Sequence, residues 1–202
     1  MEVVDAIRER RSVRHFDTLH RITPSQEREL VDLAMLSPTA FNLQNWRFVI
    51  LKDADLRHAI REHAWNQPQI TDASLLVALC ADLDAWQDAY HYWDQAPPDS
   101  QQVIAASIDL YYSARPIAQR DEGMRSCGLA AQNLMLAATS MGFDSCPIAC
   151  FDFDAVGRLI NLPPNHMLAM FVAIGKATRS SSTRGSRVRY EDVVVYDRYR
   201  SS

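Results

Sequence analysis

Residues 127–141 contain no charged side chain. Cys127, Ala130, Ala131, Leu134, Met135, Ala138 and Met141 recur at helical spacing and make an apolar arc wider than one face. The pattern predicts a helix over 124–141, started by Asp121 and stopped by Gly142. A helix this apolar must be covered on most sides, by its own domain or by a partner subunit. Gly128, Ala130, Ala131, Ala137 and Ala138 are small enough to let another helix approach closely.

The run from Ser74 to Ala81 adds a second constraint. It is apolar throughout and of strand length, which predicts a strand covered on both faces. Arg47–Leu51 and Met167–Ile174 read as further buried strands, and Ser145–Phe151 as a short one interrupted at Pro147. With 202 residues, 48% of them hydrophobic, the chain can build one real core. The organisation expected is a single domain over 1–202, with a helical excursion at about 83–114 and a C-terminal arm at about 177–202.

Helix signals punctuate the chain. Residues 2–10 read as a short helix with Val3, Val4 and Ile7 on one face. Thr23, Pro24 and Gln26 form a capping box ahead of Leu30, Val31, Leu33 and Ala34, and Ser37-Pro38 ends that helix. Asp53 caps a helix with Leu56, Ala59 and Ile60 inward; Asp152 caps one with Val156, Leu159 and Ile160. In the excursion, a helix with Trp86, Ala89, Tyr90 and Trp93 stops at Pro97-Pro98. Asp99 and Gln102 cap the next, which bears Val103, Ile104, Ile108, Tyr111 and Tyr112. This aromatic density fits core packing, and it also fits the wall of a pocket.

Several functions are excluded or disfavoured. A net charge of -4 disfavours a nucleic-acid surface. Against it stands the local cluster Arg8, Arg10, Arg11 and Arg14, which points to a small anionic partner. The first residues are charged at once, so no secretory leader is expected, and no apolar run approaches the roughly 20 residues that span a bilayer. Cys80, Cys127, Cys146 and Cys150 lie in apolar stretches and read as buried free thiols of a cytoplasmic protein. No G-x-G-x-x-G, P-loop or Gly-x-Ser-x-Gly occurs, and the scattered histidines form no metal set.

Binding groups remain. If 10–14 is extended, Arg10, Ser12 and Arg14 share one side and suit an anion, because Arg binds phosphate bidentately. The same residues also fit a solvated basic turn, or a cation end complementing the helix dipole. In the segment 37–46, Asn42, Gln44 and Asn45 alternate with Phe41 and Leu43, and Trp46 closes it. That mixture suits a planar heterocycle, and a plain helix-to-strand connection as well. Residues 64–69 are a second amide-rich loop with a tryptophan. The tail is basic and Ser-rich, includes Ser180-Ser181-Ser182, and ends in strand-like Val193-Val194-Val195, which needs a sheet edge to pair with. Phosphate, ring-edge and flat-face binders without an evident catalytic side chain are what a flavin enzyme needs, since the cofactor carries the chemistry.

Five segments, in order, resemble the nitroreductase family of FMN-dependent NAD(P)H oxidoreductases. They are Arg10–Arg14 with Phe16, Ser37–Trp46, Asp72-Ala73-Ser74, Gly128–Leu134, and Gly142–Ser145 running on to Gly175. The resemblance implies an α+β fold: a mixed central sheet flanked by helices, in a homodimer that exchanges its C-terminal strand. It implies two FMN sites at the interface. Arg10 and Ser12 would hold the phosphate with Arg187 assisting and Arg11 adjacent, and Arg14 would approach the pyrimidine edge. Pro38, Thr39, Ala40 and Asn42 would come from the other subunit, Asn66 and Gln69 would face the polar edge, and the backbone of Ala149-Cys150 would pass near N5. Some relatives carry Lys at the position of Gln69, and many carry Pro at Asn45 and an acidic residue then Gly at Ala149-Cys150. The activity implied is ping-pong reduction of nitroaromatics or quinones, with NAD(P)H as reductant. A flavin carrier or sensor, and a branch dedicated to one substrate, stay open beside it.

Overall fold

The computed structural model describes residues 1–179 and 183–199. In chain order the elements are α1 (Val3–Glu9), α2 (Pro24–Met35), β1 (Trp46–Ile50), α3 (Ala54–Glu62), α4 (Gln69–Asp72) and β2 (Leu75–Asp82). There follow α5 (Pro98–Tyr112), α6 (Pro116–Ser140), β3 (Asp144–Ile148), α7 (Phe153–Leu159), β4 (His166–Gly175) and α8 (Tyr190–Val193). The sheet order is β1-β2-β4-β3, and every named pair is antiparallel. The α+β class stands. The mixed character expected of the sheet shrinks, within one chain, to a single parallel bridge between Ser12 and Ser145.

Strand β2 is central, and its alternation explains the unbroken apolar run. Leu75, Val77, Leu79 and Ala81 face a core with α2 and α6; Leu76, Ala78 and Cys80 face a second core with Ile60, Ile70, Phe151 and Val156. Two buried layers on opposite faces leave no position for a polar side chain. Pro147 sits within β3 as an edge strand permits: Pro147 is opposite Val172 on one side, while the other side carries the Ser12 bridge. Gly142, at φ 76, closes α6 in the left-handed region that glycine adopts without steric cost.

The local caps fall where their residues sit. Thr23 and Gln26 make the reciprocal box, Asp53 accepts from the Leu56 amide, and Asp152 from the Ala155 amide. Other boundaries move. Helix α6 starts at Pro116 rather than near Asp121, and α5 starts at Pro98 with no side-chain cap from Asp99. Proline needs no amide partner at a first turn, so it opens both helices. The stretch bearing Trp86 and Trp93 is two 3-10 turns, Ala85–Gln87 and Ala89–Trp93, rather than a helix. Cys150 is exposed, unlike the other three cysteines, because it lies past the end of β3 where pairing stops.

Val3, Val4 and Ile7 are exposed and only Ala6 of α1 is buried, the reverse of the expected inward face. Leu33 of α2 is exposed as well, whereas Leu30 and Ala34 are buried. Val193 closes the helical turn α8 instead of opening a strand. Ser180-Ser181-Ser182 lies outside the described residues. No helix among those described is long and apolar enough to cross a membrane.

Candidate functional site

The segment after α1 builds the first part of the site. Val13 donates its amide to the Ser145 carbonyl at 3.0 Å, fixing 12–14 as an extended piece along β3. Val13 is buried, so Ser12 and Arg14 on either side of it face out. Arg10, Arg11, Ser12 and Arg14 line a cleft of about 510 Å³ together with Arg179, Thr183, Arg184 and Arg187 from the tail. Among the described residues none of these arginines is paired with a carboxylate. Arg10 Nη1 is buried and has no hydrogen-bond partner among the described residues. The guanidinium groups also act on their neighbours. Burial raises the Cys146 thiol's pKa, and Arg14 and Arg10 pull it back.

Two arginines of the cluster face elsewhere. Arg11 Nη1 donates to the carbonyls of Arg8, Glu9 and Arg10 at 2.6–3.0 Å, and so caps α1. Arg184 Nη2 donates to the carbonyls of Ile7, Arg8 and Arg10, which ties the tail to the same helix end. Its pKa is lowered, first by burial and then by Arg11, Arg187 and Arg10. Sequence reasoning missed Arg184. Its neighbours in the chain resemble those of Arg187, and only the fold shows which one reaches the carbonyls.

The second amide loop makes the second part. Trp65 and Asn66 turn the chain at φ 51 and 53, and Asn66 Oδ1 accepts from Arg61 Nε at 2.7 Å. Gln67 Nε2 donates to the Cys150 carbonyl at 3.0 Å, and Gln69 Nε2 donates to Gln67 Oε1 at 2.9 Å. The carbonyl fixes the orientation of the first amide, and that fixes the second. Gln69 Oε1 is then left buried without a donor among the described residues. Gln67 was not singled out from the sequence, yet it joins Gln69 to the 149–150 backbone.

The third part is the 37–46 segment, and none of Pro38, Thr39, Ala40 and Asn42 lines the arginine cleft. Phe41, Asn42 and Gln44 hold φ of 50, 54 and 46, in the region where a Cβ is unfavourable. The loop is held by its neighbours: Thr39 Oγ1 accepts from the Gln44 amide at 3.0 Å, and Glu122 Oε1 from the Ala40 amide at 3.3 Å. Glu122 is buried and receives Arg125 Nη1 at 2.7 Å on its other oxygen.

The sequence profile of the Nitroreductase family matches residues 7–176. Protein DrgA of Synechocystis is 48% identical over 182 residues, spanning 90% of this chain and 87% of its own. MhqN of Bacillus subtilis, provisionally named an NAD(P)H nitroreductase, is 29% identical and spans 96% of this chain and 98% of its own. Among solved structures, an FMN complex from Exiguobacterium sibiricum superposes with a TM-score of 0.87 at 23% identity, covering 97% of both chains. With a profile match across most of its length and a relative sharing almost half its residues, this chain belongs to the Nitroreductase family.

Proposed function

We propose that this chain is an FMN-dependent oxidoreductase that reduces electrophilic aromatic acceptors, such as nitroaromatics or quinones, with NAD(P)H. The observation that carries the reading is the arginine cleft with its buried, unpartnered Arg10 Nη1. A cluster of guanidinium groups without carboxylates needs an anion, and the phosphate of FMN supplies one. The unpartnered Gln69 Oε1 needs a donor, and a flavin ring N–H supplies that. The residues therefore fit the cofactor in two separate places.

In this reading Arg10 and Ser12 bind the phosphate, with Arg187 closing from the tail. Arg11 and Arg184 act behind them by fixing the end of α1. Arg14 places positive charge at the pyrimidine edge, and Asn66 and Gln69 orient the ring through its polar groups. The Ala149-Cys150 backbone, anchored by Gln67, lies against the reacting side. Held there, FMN would supply the hydride-transfer chemistry, and the residues named would bind and orient it.

The protein works as a homodimer. Exposed Val3, Val4 and Ile7 of α1, and Met124 and Leu129 of α6, make an apolar surface that a second copy covers. Thr39, Ala40 and Asn42 then serve the partner's site, and Val194-Val195 pair with the open edge of β1. The unpaired thiols Cys80, Cys127 and Cys146 suit the cytoplasm. The test is the visible spectrum of the purified protein before and after anaerobic NADPH and NADH. A flavin band bleached by either nicotinamide is expected; a band that neither bleaches indicates a carrier or sensor, and no flavin after incubation with FMN overturns the reading.

A further inference from the structure

The excursion between β2 and α6 touches the 37–46 loop at the first of its left-handed residues. Trp93 Nε1 donates to the Phe41 carbonyl at 3.0 Å, across 52 residues of sequence. Tyr112 packs edge-on against the Phe41 ring, with centroids 6.2 Å apart. Leu43 is buried in a small cluster with Ala89, Ile108 and Tyr112, separate from both faces of the sheet. These contacts fall on Phe41 and Leu43, on either side of Asn42 and next to Gln44; Phe41, Asn42 and Gln44 are all non-glycine residues at positive φ. Such a conformation persists only where the surroundings over-determine it.

We propose that the 83–114 excursion is a clamp on the 39–44 loop, with Trp93 as the positioning residue that holds the loop in its cofactor-binding shape. This rests on the reading that Thr39, Ala40 and Asn42 contact FMN. It assigns the aromatic excursion a task distinct from covering the acceptor. The hydrogen bond from Trp93 reaches the backbone at the first left-handed residue, where it restrains the peptide group itself. The Glu122–Ala40 bond restrains the preceding residue from α6. Together they fix the loop between two elements, neither of which belongs to the arginine cleft.

The test is Trp93→Phe, which keeps an aromatic ring in the cluster and removes only the donor. Two readouts are needed. The first is hydrogen exchange at the amides of Asn42, Leu43 and Gln44, which bond to the Thr39 carbonyl, the Ala40 carbonyl and Thr39 Oγ1 in the loop. The second is the FMN dissociation constant. The clamp predicts faster exchange confined to these amides, and a Kd raised about fivefold, the equivalent of one neutral hydrogen bond. It also predicts an unchanged melting temperature of the cofactor-free protein. Adding Gln44→Gly, which accepts positive φ without strain, should recover part of the lost affinity. Unchanged exchange and unchanged Kd overturn the clamp. So does a general loss of stability with protection lost throughout the excursion, which would make Trp93 a packing residue. If wild-type protein binds no FMN, the parent reading fails, while the exchange result still decides whether Trp93 orders the loop.

Discussion

Gln67 Nε2 donates to the backbone carbonyl of Cys150 across 83 residues of sequence, at 3.0 Å. This one bond joins the amide-rich loop before α4 to the chain just past β3. It also sets the direction of Gln69, whose own amide donates to Gln67. Two segments expected to meet the same ring are thereby joined to each other.

Gln67→Ala tests that coupling. The variant should keep FMN but lose about fivefold in kcat/KM, since the 149–150 backbone and Gln69 lose a shared restraint worth one hydrogen bond. Steady-state kinetics with a quinone, at saturating FMN, would measure this. Wild-type kinetics would mean the bond is incidental.

The two arginines at the end of α1 should separate in their effects. Arg10→Ala should raise the Kd for FMN by about 10- to 100-fold, as expected for one charge-assisted bond to phosphate. Arg11→Ala should change FMN affinity less, because its guanidinium caps carbonyls instead of facing the anion. Flavin fluorescence titration of both variants gives the comparison; equal losses would contradict the geometry.

At Gly123, α6 lies close against β2. A Cβ there would meet the Ala81 Cβ at 2.9 Å and the Met167 sulfur at 3.2 Å. Neither the strand nor the long helix can move freely, so Gly123→Ala should destabilise by about 1–3 kcal/mol. Urea unfolding of the variant against wild type measures the difference.

Burial pushes the Cys80 thiol from 9.0 up to about 12, and the Cys127 thiol likewise, with Cys80 adding to the latter. Above pH 9 the unfolded chain loses these protons while the folded chain keeps them. Stability should therefore fall as pH rises from about 9 to about 12, by up to about 1.4 kcal/mol per pH unit for each thiol. Cys127→Ala should flatten the slope of urea stability against pH in that window. At neutral pH, alkylation of the folded protein should label Cys150 alone, as the one exposed thiol.

What the sequence determined by itself is what depends on neighbours within a turn or two. The Thr23–Gln26 box, the Asp53 and Asp152 caps and the Gly142 stop were all readable, because each satisfies backbone groups a few residues away. The unbroken apolar run of β2 was readable for a related reason: burial on both faces leaves its mark on every residue. The alternation of Ser12 and Arg14 about Val13 was likewise local. Only the tertiary structure decided where long polar side chains point. Arg11 turns back onto its own helix, Arg184 reaches Ile7 across 177 residues, and Gln67 finds the Cys150 carbonyl. A guanidinium or an amide has several rotatable bonds and no preferred partner, so its direction follows from whichever carbonyl the fold brings near. The same holds for Val3, Val4 and Ile7, whose apolar pattern marks a face for burial but does not say whether the covering surface belongs to the same chain.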